Sequence, residues 1–220
     1  ITFHPGSQCL SISNWINSLM FVNNIFTECK EEGIELSIIN LGGGIPIKHT
    51  KDIPSIKEIY HAINNYINEN FSPVPKLMIE PGRGLVGDSA IMISEVISKR
   101  QFKGDEWLYL DIGVFHGMME TIEDFDYELL TEKDLSPEKE DKQTYVIAGP
   151  SCDGVDVMFK EKEMTIVEIG DRVFIINAGA YTLSYASLFN GFKVPKVYYK
   201  KNGTDPEIEP SCIVETYYSL

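Results

Sequence analysis

Cysteine is sparse in this sequence and never paired at ligand spacing. Cys9, Cys29, Cys152 and Cys212 stand far apart among 220 residues, with no C-x-x-C. That argues against a disulfide scaffold or a thiolate zinc site and predicts a reducing, cytoplasmic setting. The histidines His4, His49, His61 and His116 also lack metal-ligand spacing, so no metal centre is expected. No apolar run is long enough to cross a bilayer. The opening ITFHPGSQCL has neither the basic nor the apolar region of a secretory signal. It reads instead as the middle of a strand, which predicts a missing N-terminal portion. Basic residues are few, 19 Lys and Arg against 33 Asp and Glu, for a net charge of −14. Such a surface repels phosphate backbones and steers cationic small molecules inward, and it also serves simple solubility.

What is present is a core and a repeat. Hydrophobic residues make up 43% of the chain, enough for one large domain or two ordinary ones. ITFHPGS, ELSIINLGGG and KLMIEPGR are apolar segments that each end in a polar or glycine-rich turn, and His4, Gly42 and Glu80 mark those ends at equal spacing. Between them, Ile12, Trp15, Ile16, Leu19, Val22 and Phe26 share one helical face, as do Ile56, Ile59, Tyr60, Ile63, Tyr66 and Ile67. Asp52 and Pro54 predict the second helix's start; Gly33 and the Pro73/Pro75 pair are stop signals. Strand, helix and strand in regular order describe a parallel sheet or a (β/α) barrel, whose chemistry gathers at the C-terminal ends of the strands. Strands this few cannot close such a barrel. After Arg83 the segments are short and β-rich, predicting an antiparallel β domain, with helical spacing returning only at AYTLSYASLFNGF. The predicted domains are therefore 1–84 and 85–220. The polar stretch 130–142 reads as a solvated loop, and the tail after Lys200 as loosely held or late to dock.

Each strand-end motif admits two readings. Gly42-Gly43-Gly44 is either a tight turn or a backbone cradle for a phosphate. Within Glu80-Pro81-Gly82-Arg83 the charges either pair with each other or face opposite ends of one ligand, Arg83 toward a phosphate and Glu80 toward a cationic ring nitrogen. His4 is either a satisfied core histidine or a flat ring stacked on a flat cofactor, with Ser7 as a phosphate donor. In GPSCDGVD, Cys152 and Asp153 are either a buried small hydrophobe and a turn former or a reactive pair.

Taken in order, FHPGSQ, LGGGIP, EPGRGLVG, GPSCDGVDVM and AGAYT resemble the fold type III pyridoxal-phosphate-dependent decarboxylases, and most of all the bacterial ornithine/lysine branch. YLDIGVFHGMMETIED and GAYTLSYASLFNGF resemble further blocks of that branch. The resemblance implies the C-terminal portion of a (β/α)8 alanine-racemase-like barrel, then a β domain, in a homodimer with its sites at the interface. It implies that His4 stacks on the cofactor ring and that Ser7, Gly42, Gly43, Gly44, Gly82, Arg83 and Tyr181 hold the phosphate. Glu80 would keep the pyridine nitrogen protonated, which makes the ring an electron sink. Cys152 would reach across the dimer and donate a proton to the α-carbon. Asp153, with Asp124 of the other chain, would bind the substrate's distal ammonium, and Phe189 would line the same pocket; a one-residue slip would exchange Asp124 for Glu123.

The implied activity is decarboxylation of a basic amino acid, ornithine first and lysine second, to a diamine of polyamine biosynthesis. Diaminopimelate decarboxylases resemble this pattern but carry Glu-Ser after the cysteine, so Cys152-Asp153-Gly154 favours a substrate ending in an amine alone. Two departures stand out. The family's Schiff-base lysine lies on an early barrel strand, and no lysine here stands in a matching motif, so a longer protein is expected. His116 replaces a small residue and would crowd the substrate pocket. The alternatives are a non-catalytic homologue that binds a partner and a fold type III racemase.

Overall fold

The computed structural model describes residues 1–137 and 140–199, and the backbone of a short strand at Glu207–Ile208. In chain order the helices are α1 (Ile12–Glu31), α2 (Ile56–Asn70) and α3 (Arg83–Val86). The strands are β1 (Ile38–Asn40), β2 (Lys76–Met78), β3 (Met92–Phe102), β4 (Asp105–Leu110), β5 (Leu129–Thr131), β6 (Lys142–Ala148), β7 (Val157–Thr165), β8 (Arg172–Ile175), β9 (Tyr198–Tyr199) and β10 (Glu207–Ile208). Cys212 and most of the tail lie outside the described residues. Two compact units interleave in sequence. The first comprises Ile1–Ile93, Asp126–Lys139 and Arg172–Ala180; the second takes the rest.

In the first unit the helices form where the apolar spacing demands. Trp15, Leu19 and Val22 of α1 and Ile59, Ile63 and Ile67 of α2 are buried. They pack with Ile39, Leu41, Ile45 and Phe71 into one core. Gly33, at φ 76°, takes the left-handed turn that ends α1. The start of α2 is set by Ser55 rather than by Asp52 and Pro54. Ser55 Oγ accepts from Glu58 N (3.2 Å), and Glu58 Oε2 accepts from Ser55 N (2.8 Å), a complete capping box. Each buried Ile is worth about 1.5–3 kcal/mol and the cap about 1 kcal/mol, so packing decides where α2 lies and the cap decides where it begins. Changing Ser55 to alanine is expected to cost about 1 kcal/mol, read as a lower denaturant midpoint at constant slope. An unchanged midpoint would show that the box contributes nothing.

Strands β1 and β2 pair in parallel, Ile38 opposite Lys76 and Asn40 opposite Met78. The opening segment contributes a single parallel bridge, Thr2 to Asn40, instead of a full strand. It is held by Asn40 N donating to Ile1 O (2.8 Å) and Phe3 N to Asn40 O (3.1 Å). Ile39 is fully buried, while Ile38, Leu77 and Met78 are exposed on these strands. β5 and β8 form an antiparallel pair in the same unit.

In the second unit β3, β4, β6 and β7 lie side by side in that order. β3 and β4 make a hairpin whose turn residues, Lys103 (φ 54°) and Gly104 (φ 93°), supply the positive φ that a tight type I′ connection needs. β6 and β7 are also antiparallel. β4 and β6, however, run parallel. The chain between them is a long excursion, not a hairpin, and only such a crossover can return a strand in the same direction. The segment AYTLSYASLFNGF is not a helix. It folds as two single 3-10 turns, Leu183–Tyr185 and Phe189–Gly191, because Tyr181 (φ 55°), Asn190 (φ 56°) and Gly191 (φ 78°) leave the helical region.

Candidate functional site

The three strand-end motifs of the first unit meet. Leu41 N donates to Met78 O (2.9 Å) and Glu80 N to Gly42 O (2.8 Å), so strand register carries on into the glycines and sets Glu80 opposite Gly42. Asn40 then ties both motifs together. Its Oδ1 accepts from Gly42 N (2.9 Å), and its Nδ2 donates to Glu80 Oε1 (2.6 Å). The sequence reading missed Asn40; the available signal was an amide directly before LGGG, able to donate and accept at once.

The glycines are demanded by this close approach. A Cβ on Gly42 (φ 66°) would strike the Phe3 carbonyl, and one on Gly44 (φ 89°) the Gly6 carbonyl. A Cβ on Gly43 would lie 2.9 Å from Glu80 O and 3.1 Å from His4 Nε2, so the edge of the imidazole rests in space that only glycine leaves open. His4 Nδ1 accepts from Gly6 N (3.0 Å), which leaves Nε2 at the edge that faces Gly43. Gln8, also missed, clamps the backbone of Ile47 at both ends: its Nε2 donates to Ile47 O, and its Oε1 accepts from Ile47 N (3.1 Å). With Cys9 N donating to Gly44 O (2.9 Å), this holds the exposed turn carrying Ser7 against the glycine turn.

Arg83 opens α3 and is only 3% exposed. Gly82 before it sits at φ 45°, a conformation that frees the turn to bend there. His49, on the same glycine-turn extension, packs its ring edge-on to the buried Tyr127 at 5.1 Å. Burial first, and then the Arg83 cation, push its pKa down to about 4, against a smaller upward pull from Asp126. His49 is therefore neutral at pH 7. An imidazole edge, a carboxylate fixed by an amide, a guanidinium and a glycine-only backbone are groups that can meet a flat ring, a cationic nitrogen and an anion.

The remaining candidates fall in the second unit. Cys152 is exposed, and Asn190 Nδ2 donates to its sulfur at 3.7 Å. Asp153 is exposed, with Oδ1 accepting from Val155 N (2.9 Å), so one oxygen already shapes its own turn. Phe189 packs on Phe115 with centroids 4.2 Å apart. Asp124 caps the Met119–Glu123 turn at φ 58°, its N–H donating to Thr121 O. Tyr181, 40% exposed, lies with its ring centroid 6.4 Å from that of Tyr185. His116 does not project as expected. It is 1% exposed and meets Phe192 edge-on at 5.3 Å, so it fills the interior behind the 187–192 turn.

Two family models match this chain. One is described as the pyridoxal-dependent decarboxylase pyridoxal binding domain and covers residues 1–87. The other is described as the C-terminal sheet domain of the same decarboxylases and covers residues 58–179. A probable ornithine decarboxylase of Dictyostelium discoideum is 30% identical over 95% of this chain and 48% of its own length. A lysine/ornithine decarboxylase of Selenomonas ruminantium is 32% identical over 87% of this chain, again 48% of its own. Among solved structures, the diaminopimelate decarboxylase of M. jannaschii superposes with a TM-score of 0.78 at 30% identity, over 91% of this chain and 46% of that one. The chain thus spans about half the length of the curated relatives it matches.

Proposed function

The chain belongs to the pyridoxal-dependent decarboxylase family, and on that footing we propose that the protein decarboxylates a basic amino acid, ornithine first and lysine second. The observation that carries this is the joining of His4, Gly43 and Glu80 at one set of strand ends, with Asn40 fixing the carboxylate. Relatives named for ornithine, lysine/ornithine and diaminopimelate support the class of substrate; the choice within it rests on Asp153.

Pyridoxal phosphate is the cofactor. His4 would lie against the face of its ring, Glu80 would hold the proton on its nitrogen, and Ser7, Gly42 to Gly44, Gly82, Arg83 and Tyr181 would bind its phosphate. Bound there, it supplies an electron sink for the pair left when carbon dioxide departs. Cys152 and Asp153 serve the site of a second copy of the chain. Cys152 delivers the proton to the substrate's α-carbon, and Asp153, with Asp124 of the other chain, takes the distal ammonium while Phe189 lines its path. The net charge of −14 draws such a cation in.

The test uses the complete protein containing these residues, supplied with pyridoxal phosphate and with ornithine, lysine or diaminopimelate in turn. Carbon dioxide and a diamine from ornithine support the proposal; release from diaminopimelate alone overturns the choice of substrate. Changing Cys152 to alanine is expected to divert product from the diamine, leaving cofactor affinity within about twofold of the parent. Without that delivery, the balanced alternative outcome would be carbon dioxide, an amino-aldehyde and pyridoxamine phosphate from the amino acid and pyridoxal phosphate. Because proton delivery by a placed group contributes about 10²–10⁴-fold, the aldehyde should become a major product. A diamine-only product from that variant would refute the role given to the thiol.

A further inference from the structure

The turn that presents Cys152 is built around a carboxylate with no part in the chemistry described so far. Asp156 is 1% exposed. Its Oδ1 accepts from Val114 N (2.8 Å), while its Oδ2 accepts from Ser151 N (3.0 Å) and Ser151 Oγ (2.6 Å). Its backbone closes the same turn: Asp156 N donates to Asp153 O (3.0 Å), and Gly149 N donates to Asp156 O (2.8 Å). The space around the carboxylate is reserved for it. A Cβ on Gly113 or on Gly149 would collide with Asp156 Oδ1.

One oxygen therefore grips the residue just before Cys152. The other grips the turn Val114–His116, whose Phe115 packs at a tilt on Phe189 and whose Phe115 carbonyl accepts from Ser187 N (2.9 Å). From that third turn Asn190 reaches back to the Cys152 sulfur. The geometry points to Asp156 as the positioning residue for Cys152: an acceptor-only group that locks three turns so that the sulfur stands where Asn190 can orient it. This rests on the reading of Cys152 as the proton donor. It adds that the donor's position depends on a buried carboxylate behind it.

Three donors converge on Asp156, so an isosteric amide must turn an N–H toward at least one of them. Changing Asp156 to asparagine in the complete protein is expected to raise the aldehyde-to-diamine ratio about tenfold. KM and pyridoxal phosphate affinity should stay within about twofold. Amide exchange at Val114 and Ser151 should quicken at least tenfold, while the β6–β7 ladder keeps its protection. If that variant does not accumulate, changing Ser151 to alanine carries the test. It deletes one donor from Oδ2 and should shift the product ratio the same way by a smaller factor.

A folded D156N protein with the parent's product ratio overturns the inference, as does an unshifted ratio in S151A when D156N cannot be made. The Cys152→Ala variant separates the two claims. If it diverts product and D156N does not, only the positioning role fails; if it does not divert product, the donor role itself fails.

Discussion

Changing Glu80 to alanine is expected to lower turnover in the complete protein by about 10²–10³-fold, the scale on which a single preorganised charge-stabilising group acts. The carboxylate is held in place before any ligand arrives. Asn40 donates to Oε1 at 2.6 Å and is itself anchored by Gly42 N, so the carboxylate has less rotational freedom to lose on binding. If Glu80 holds the proton on the cofactor's ring nitrogen as proposed, its loss would fall on turnover more than on binding, because a protonated ring would supply the electron sink. The effect on cofactor affinity should be smaller, about tenfold, the worth of one charge-assisted hydrogen bond. Glutamine at position 80 should recover part of the affinity but little turnover, since it restores shape without charge. Kinetics and cofactor titration of the two variants check this; an alanine variant turning over at the parent's rate would remove Glu80 from the chemistry.

The parts of this site that the sequence made legible share a property: each announces itself locally. The helical faces of α1 and α2 appear as apolar spacing, and the strand ends as glycine and charge at equal intervals. His4, the glycine triplet, Glu80 and Arg83 were found that way. Asn40, Gln8, Asp156 and Asn190 were not, because each has a partner far away in the chain. Asp156 reaches Val114, and Gln8 reaches Ile47. The faint trace they leave is the glycine opposite: Gly113 and Gly149 have no reason to be glycine until a carboxylate is seen lying against them. AYTLSYASLFNGF misled for a related reason. Its aromatic density looks like a helical face, but Phe189 and Phe192 meet Phe115 and His116 while Tyr181 and Tyr185 lie against each other. The parallel pairing of β4 with β6 was likewise hidden, since strand direction depends on where a long connection travels rather than on the strands' own composition.

The glycine-turn extension also carries a built-in acid sensitivity at His49. The unfolded chain's imidazole titrates near its ordinary value of 6.5, while in the folded protein burial and the Arg83 cation hold it to about 4. Between those values the unfolded state binds a proton that the folded state refuses, so stability falls as pH drops through this window. The contribution is complete above about pH 6.5 and is lost by about pH 4. The gap corresponds to at most about 3 kcal/mol, a large share of a typical domain's stability. Asp52 and Glu58 lose their contributions lower down. Their carboxyls are held below the ordinary range, Asp52 by Lys48 and Glu58 by Ser55, so protonating them begins where the His49 window ends. Denaturant unfolding at closely spaced pH values should show a loss centred between pH 4 and 6.5, absent when His49 is changed to glutamine. Changing Arg83 to methionine removes the second cause, so the His49 ring should titrate at a higher pH in a proton NMR titration and the window should narrow from its acid side. A His49 ring that titrates near 6.5 in the parent protein would refute its burial beside Arg83.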